Sequence, residues 1–171
     1  MPEGREETTG PHENTTAGTI ATELAELSFF SGVPEWALER LARSATRKLL
    51  SHGTRVVRQN DEARAVYFLI SGAVQILVYF EGVGDLLMGV QREPGSLIGW
   101  SAFRPPYRYT SSVRCEDASE FIQLPRETLE EIFEENPYLG YQLLKKVAAT
   151  VDARLEGAVT FLGSSIIPGE L

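Results

Sequence analysis

The hydrophobic period changes twice along this chain, and that restricts its fold more than any other feature. From Thr19 the apolar residues Ile20, Leu24 and Leu27 recur at helical spacing. After Ser31-Gly32-Val33-Pro34 the segment from Glu35 to Thr46 repeats the pattern with Trp36, Leu38 and Leu41, and Pro34 stands where a first-turn proline is tolerated. At Arg47 the helical period stops. From there to Phe80 the chain is rich in Val, Ile, Leu, Tyr and Phe, cut by Gly53 and Ser71-Gly72. This predicts strands over Arg47–Ser51, Arg55–Arg58, Ala65–Ser71 and Ala73–Phe80, with Asn60-Asp61-Glu62 as a turn. Gly82 and Gly84 mark another turn before a strand at Leu86–Arg92, and Arg114–Gln123 reads as the last strand. Short strands at close intervals with glycine turns point to a barrel or jelly roll.

The helical period then returns. Thr128, Leu129, Ile132 and Phe133 make a short amphipathic helix, and Asn136-Pro137 starts a long one. Its apolar positions include Leu139, Leu143, Leu144, Val147, Val151, Leu155 and Ala158, while Lys145, Lys146, Asp152 and Glu156 occupy other faces. Such a stripe is longer than one barrel covers, which points to a partner helix and to a homodimer through this element. The predicted class is α+β: a β jelly roll (double-stranded β-helix) flanked by N-terminal helices and a long C-terminal helix.

Composition sets the limits of that domain. With 171 residues, 43% of them hydrophobic, the chain holds enough apolar material for one core. Residues 1–18 are rich in Gly, Pro, Thr and Glu and are expected to be a disordered tail. The domain is expected over residues 19–162, with 163–171 as a loose C-terminal tail. The net charge of −8 repels duplex nucleic acid, and Lys145-Lys146 is the only pair of lysines, so no direct nucleic-acid binding is expected. Cys115 is the only cysteine, which excludes an intramolecular disulfide, fits a reducing compartment and suits a buried thiol. The first residues lack an apolar signal-peptide core, and no apolar run approaches the roughly 20 residues of a membrane span. A soluble, cytoplasmic protein without membrane contact is expected.

One segment converges on chemistry: Gly95 to Val113, GSLIGWSAFRPPYRYTSSV. A strand-like pair, Leu97-Ile98, runs into Gly99, then a short turn of small residues and a proline break. Arg108, Thr110, Ser111 and Ser112 follow. A glycine lets backbone approach a ligand closely. A short helix starting there aims free N–H groups at one point. An arginine can fork onto two oxygens of a phosphate. Other chemistries lack their residues. A metal site of the cupin kind needs several histidines with a carboxylate, and only His12 and His52 are present, far apart. No nucleophile with a base and no phosphate loop with a lysine is found, so neither catalysis nor a metal or cofactor is expected.

The order of these elements resembles the cyclic nucleotide-binding domain family, which includes the sensor half of catabolite activator proteins. The resemblance runs from about Leu27 to Leu162. It is carried by Leu27-Ser-Phe-Phe30, Gly53, Asn60-Asp61-Glu62, Val66-Tyr-Phe-Leu-Ile-Ser-Gly72 with Val74, Pro94-Gly95, Ile98-Gly99, the strand from Val113 to Leu124, and Asn136-Pro137. In that family the segment around Gly99 is similar to the phosphate-binding cassette. The resemblance implies a ligand site of Ile98, Gly99, Trp100, Ser101, Ala102, Arg108, Thr110 and Ser111. Ser101 and Ala102 would offer backbone N–H groups, and Arg108 would pair with the phosphate. Counting back from Val113 puts the family arginine at Tyr109, and counting forward from Gly99 puts it at Arg108; only Arg108 can supply the charge. Trp100 occupies the position of the family glutamate that accepts a hydrogen bond from the ribose 2′-hydroxyl.

The function this implies is non-catalytic sensing of a cyclic nucleotide, cyclic AMP or cyclic GMP, or a similar phosphate-bearing ligand. Family transcription factors carry a helix-turn-helix after the long helix, and the residues after Leu162 leave no room for one, so output through a protein partner or self-association is expected. The alternative is an interaction or scaffold module without ligand, its pocket filled by Trp100. Arg154, on the long helix, is expected to form a surface salt bridge with Asp152 or Glu156.

Overall fold

The computed structural model describes residues 17–166, with side chains described through residue 160. Most of the expected tail at 1–18 and the last part of 163–171 therefore lie outside the described residues. Helix α1 spans Ala17–Glu26, a 3₁₀ turn spans Ser28–Phe30, and α2 spans Glu35–Ser44. Eight strands follow: β1 Thr46–Leu50, β2 Arg55–Val57, β3 Ala65–Ser71, β4 Val74–Phe80, β5 Gly84–Gln91, β6 Leu97–Ile98, β7 Ser112–Cys115 and β8 Ser119–Pro125. A second 3₁₀ turn, Trp100–Phe103, lies between β6 and β7, and the chain ends in α3 Arg126–Glu135 and α4 Pro137–Ile166. The last helix thus runs beyond the boundary expected at Leu162.

The strands form two four-stranded antiparallel sheets, β1-β8-β3-β6 and β2-β7-β4-β5. The jelly roll expected from the glycine spacing is the observed architecture. The expected single strand Arg114–Gln123 is two strands, one in each sheet. The break falls at Glu116-Asp117, whose N–H groups both turn to the Ala73 carbonyl, at 2.8 and 3.3 Å. Gly72 opposite makes this corner feasible: a Cβ there would lie 2.4 Å from the Ala118 carbonyl oxygen.

One core serves both sheets. Phe68, Leu69, Ile122 and Leu124 of the first sheet and Val57, Val74, Val113 and Cys115 of the second belong to one buried cluster. Phe29, Phe30 and Phe68 pack with ring centroids 4.9–5.2 Å apart, which joins the first 3₁₀ turn to the roll. The Cys115 thiol is buried, as its strand position suggested, and burial raises its pKa. Helix α2 presents Ala37, Leu38, Leu41 and Ala42 to this core, whereas Trp36, expected in the same stripe, is largely exposed. Arg40 of α2 pairs with Glu131 and Glu135 of α3, and Arg47 pairs with Glu23 and Glu120.

Helix α4 has two regimes. Leu139, Leu143 and Val147 are buried against the body. Farther along, Val151, Leu155 and Val159 are exposed. Within the buried part, Lys146 donates from Nζ to the carbonyls of Phe29 at 2.8 Å and Ser31 at 2.7 Å, with Ser28 at 3.4 Å. This ties the middle of α4 to the first 3₁₀ turn.

Candidate functional site

The site begins with a backbone requirement. Ile98 ends β6 fully buried, and Gly99 turns the chain with φ +81°, a left-handed conformation that glycine adopts without strain. A side chain there also lacks space, because a Cβ would stand 2.9 Å from Tyr109 Cε1 and 3.2 Å from the Ala65 carbonyl oxygen. The second 3₁₀ turn starts at once. Its first internal bond runs from the Ala102 N–H to the Gly99 carbonyl at 3.1 Å. The i→i+3 pattern leaves Trp100 and Ser101, rather than Ala102, with N–H groups lacking an acceptor inside the turn. Ser101 and Ala102 are both buried.

The chain returns past Pro105–Pro106, a cis peptide, and pairs with the Asn60–Glu62 turn. Ala63 donates to Tyr107 O at 2.7 Å, Asn60 to Tyr109 O at 2.8 Å, and Tyr109 to Asp61 O at 3.0 Å. This extended pairing sends adjacent side chains to opposite sides. Tyr109 faces inward, and its hydroxyl donates to the Ala65 carbonyl at 2.8 Å. Desolvation raises its pKa well above the ordinary phenol value. Arg108 faces outward, and its Nη1 donates to the Asn60 carbonyl at 2.7 Å. So the inward position is the one found by counting back from Val113, and the arginine counted forward from Gly99 lies on the far side of the chain.

A groove of about 1050 Å³ opens between the roll and α4. One wall is Ile76 and Val78 of β4 with Met88 and Val90 of β5; the roof is α4 from Lys146 to Ala158. Trp100, Thr110 and Ser111 lie on its lining. Beneath it a niche of about 10 Å³ is lined by Ile98, Gly99, Trp100, Ser101, Thr110 and Ser111 among others. The structure thus gathers six of the eight expected site residues around the niche, with Ala102 in the same turn but not on its lining, and Arg108 outside it. That niche has room for about one water.

The cation at the niche is Arg154, which lines both niche and groove. It forms no surface salt bridge with Asp152 or Glu156. Its guanidinium lies 5.1 Å over the Trp100 ring, and Nη2 donates to the Leu97 carbonyl at 3.0 Å. Nη1 is shut off from solvent and has no hydrogen-bond partner. Desolvation lowers its pKa to about 10. Arg154 follows Leu143 and Val147 and precedes Ala158 at helical spacing. A charged residue on that apolar stripe was the sequence signal for its inward position.

The fold is that of a known family. The family model for the cyclic nucleotide-binding domain matches residues 47–136, and the chain belongs to that family. A solved putative cyclic nucleotide-binding protein from Geobacter metallireducens is 30% identical, with a TM-score of 0.66 over 79% of this chain and 97% of that one. The regulatory domain of Toxoplasma gondii protein kinase A, solved with cyclic AMP, shares 16% identity and a TM-score of 0.65 over 78% of this chain and 49% of that one. The regulatory subunit of a cyclic AMP-independent protein kinase A from Trypanosoma brucei shares 14% identity and a TM-score of 0.69 over 88% of this chain and 52% of that one. The last two show likeness of fold alone. No curated protein matches the chain. Among the described residues no helix is long and apolar enough to cross a membrane.

Proposed function

We propose that this domain is a non-catalytic regulatory sensor. It takes a cyclic nucleotide or a similar phosphate-bearing ligand into the groove under α4 and passes the signal through α4 to a protein partner. The observation that carries this is the groove's charge: in a chain of net charge −8 its lining, among the described residues, holds Lys146 and Arg154 and no carboxylate. The phosphate would sit at the Gly99 turn, against the Trp100 and Ser101 N–H groups and the Thr110 and Ser111 hydroxyls. Helix α4, held to the body beyond Lys146 by Val147 and by the Arg154 hydrogen bond to Leu97 O, is the element a ligand at Arg154 can reset, provided the ligand prefers one of its positions. The exposed residues Leu144, Val151, Leu155 and Val159 give the same helix a surface for a second copy.

Trp100 limits the affinity for a ribose. A hydrogen bond to a charged group contributes about 1.5–3 kcal/mol, so lacking the family's glutamate weakens a cyclic nucleotide by about 10- to 150-fold. The contracted niche under Trp100 and Arg154 supports a second reading, an interaction module that binds no ligand. Titration separates them. In a Trp36→Phe background, cyclic AMP or cyclic GMP should change Trp100 fluorescence saturably and raise the melting temperature. Ligand at 100 times its Kd adds about 2.7 kcal/mol. No response at millimolar concentrations of either nucleotide would sink the cyclic-nucleotide form of the sensor and favour the interaction module.

A further inference from the structure

We propose that Arg154 is the side chain that receives the ligand's anionic group, and that the site selects an anion carried on an apolar body. This deepens the sensor reading and rests on it. The cassette supplies backbone N–H groups and hydroxyls but directs no cation inward, since Arg108 is turned to the Asn60 carbonyl. Of the two cations on the groove, Lys146 is already shared among three carbonyls. Arg154 makes a single hydrogen bond, to Leu97 O, and keeps Nη1 dry and unpaired. An ionised group held out of water without a partner is costly, and a buried anion relieves that cost. Among the described residues no carboxylate lines the groove to neutralise Arg154.

The rest of the lining defines the body of the ligand. Ile76, Val78, Met88, Val90, Leu97 and Val151 make a broad apolar surface. The carboxylate that would hold a sugar hydroxyl is missing, and the Trp100 ring takes its place. The niche of about 10 Å³ admits no phosphate while Arg154 lies across Trp100. Entry of the anion therefore requires the guanidinium to leave Leu97 O, and because Arg154 is part of α4, that exchange pulls on the helix beyond its Lys146 anchor.

The test uses the full chain and two probes of the same shape. One is 8-anilinonaphthalene-1-sulfonate, an aromatic body with one anionic group, and the other is N-phenyl-1-naphthylamine, which lacks the charge. Wild-type protein should bind the sulfonate more tightly than the neutral probe, and cyclic AMP should displace it. Arg154→Gln should weaken the sulfonate by at least about tenfold while leaving the neutral probe within about twofold, and Arg154→Lys should restore part of the loss. Melting curves of both variants verify folding. A larger loss in Arg108→Gln than in Arg154→Gln overturns the assignment of Arg154 and leaves the sensor reading intact. Equal binding of both probes to wild type overturns the inference as well. Wild-type protein that binds neither cyclic AMP nor the sulfonate in the groove overturns the sensor reading itself, and this inference with it.

Discussion

The floor and the roof of the groove are built to different tolerances. At the floor, Gly99 is packed so closely against Tyr109 and the Ala65 carbonyl that a methyl group has no place. At the roof, Val151 and Leu155 of α4 stand exposed beyond the Lys146 anchor. In a ligand site the first property keeps backbone donors in a fixed geometry, and the second leaves an element free to respond. The contrast continues along α4 itself. Its first turns bury Leu139, Leu143 and Val147, whereas its later turns leave Val151, Leu155 and Val159 exposed and meet the roll through Arg154.

The largest effect should appear at the floor. Gly99→Ala puts a Cβ into left-handed backbone with contacts of 2.9 and 3.2 Å, and should destabilise the domain by about 1–3 kcal/mol. Urea denaturation measures it. A loss below about 0.5 kcal/mol, the range of ordinary surface changes, would mean the floor yields and the contrast with the roof fails.

A second floor residue sharpens the comparison through pH. Tyr109→Phe removes the hydrogen bond to Ala65 O and should cost about 1 kcal/mol near neutrality. Burial raises this phenol's pKa, so between about pH 10 and the folded value the native state keeps a proton that the unfolded chain has lost. The contribution is full below about pH 10 and falls as pH rises above it, by at most about 1.4 kcal/mol per pH unit. Stability measured from pH 9 to 11 should therefore fall less steeply in Tyr109→Phe than in the wild type. Parallel curves would show that the phenol is not held dry in the floor. Tyr67, whose pKa burial also raises, accounts for part of the slope that persists.

The same division governs what the sequence could reveal. The floor is local: Leu97-Ile98, Gly99 and the small residues after it lie together in the chain, and each states its backbone need through residue type. The roll was legible for a similar reason, because Gly53, Gly72, Gly82 and Gly84 cut it into strands. The corner at Glu116-Asp117 was missed because neither glycine nor proline marks it; its N–H groups are satisfied by Ala73, distant in sequence. Trp36 was misjudged because a ten-residue helix with Ala37, Leu38, Leu41 and Ala42 on its inner face has no room for a further large side chain there. Arg154 was the hardest. Its neighbours Asp152 and Glu156 suggest a solvated face although its spacing from Val147 and Ala158 puts it on the apolar stripe, and the path of α4 across the roll brings it to Trp100.

The smallest stability effect belongs to the roof, and it tests what covers that helix. Leu155 is 61% exposed. Leu155→Asp should leave the unfolding free energy of dilute protein within about 0.5 kcal/mol of the wild type, because the side chain loses almost no packing in one chain. Self-association should respond quite differently. Leu144, Val151, Leu155 and Val159 follow one another at seven-, four- and four-residue spacing, so a second α4 laid along them would bury Leu155 near the middle of the contact. Sedimentation equilibrium should give a dimer mass for the wild type at high concentration and a monomer mass for Leu155→Asp. A charge in a dry helix seam costs far more than one on a free surface. A wild type that is monomeric throughout removes the second copy and leaves the roof to a different partner. A dilute Leu155→Asp monomer destabilised as much as Gly99→Ala would show that roof and floor are packed alike, and the proposed division between anion binding and helix movement would lose its basis.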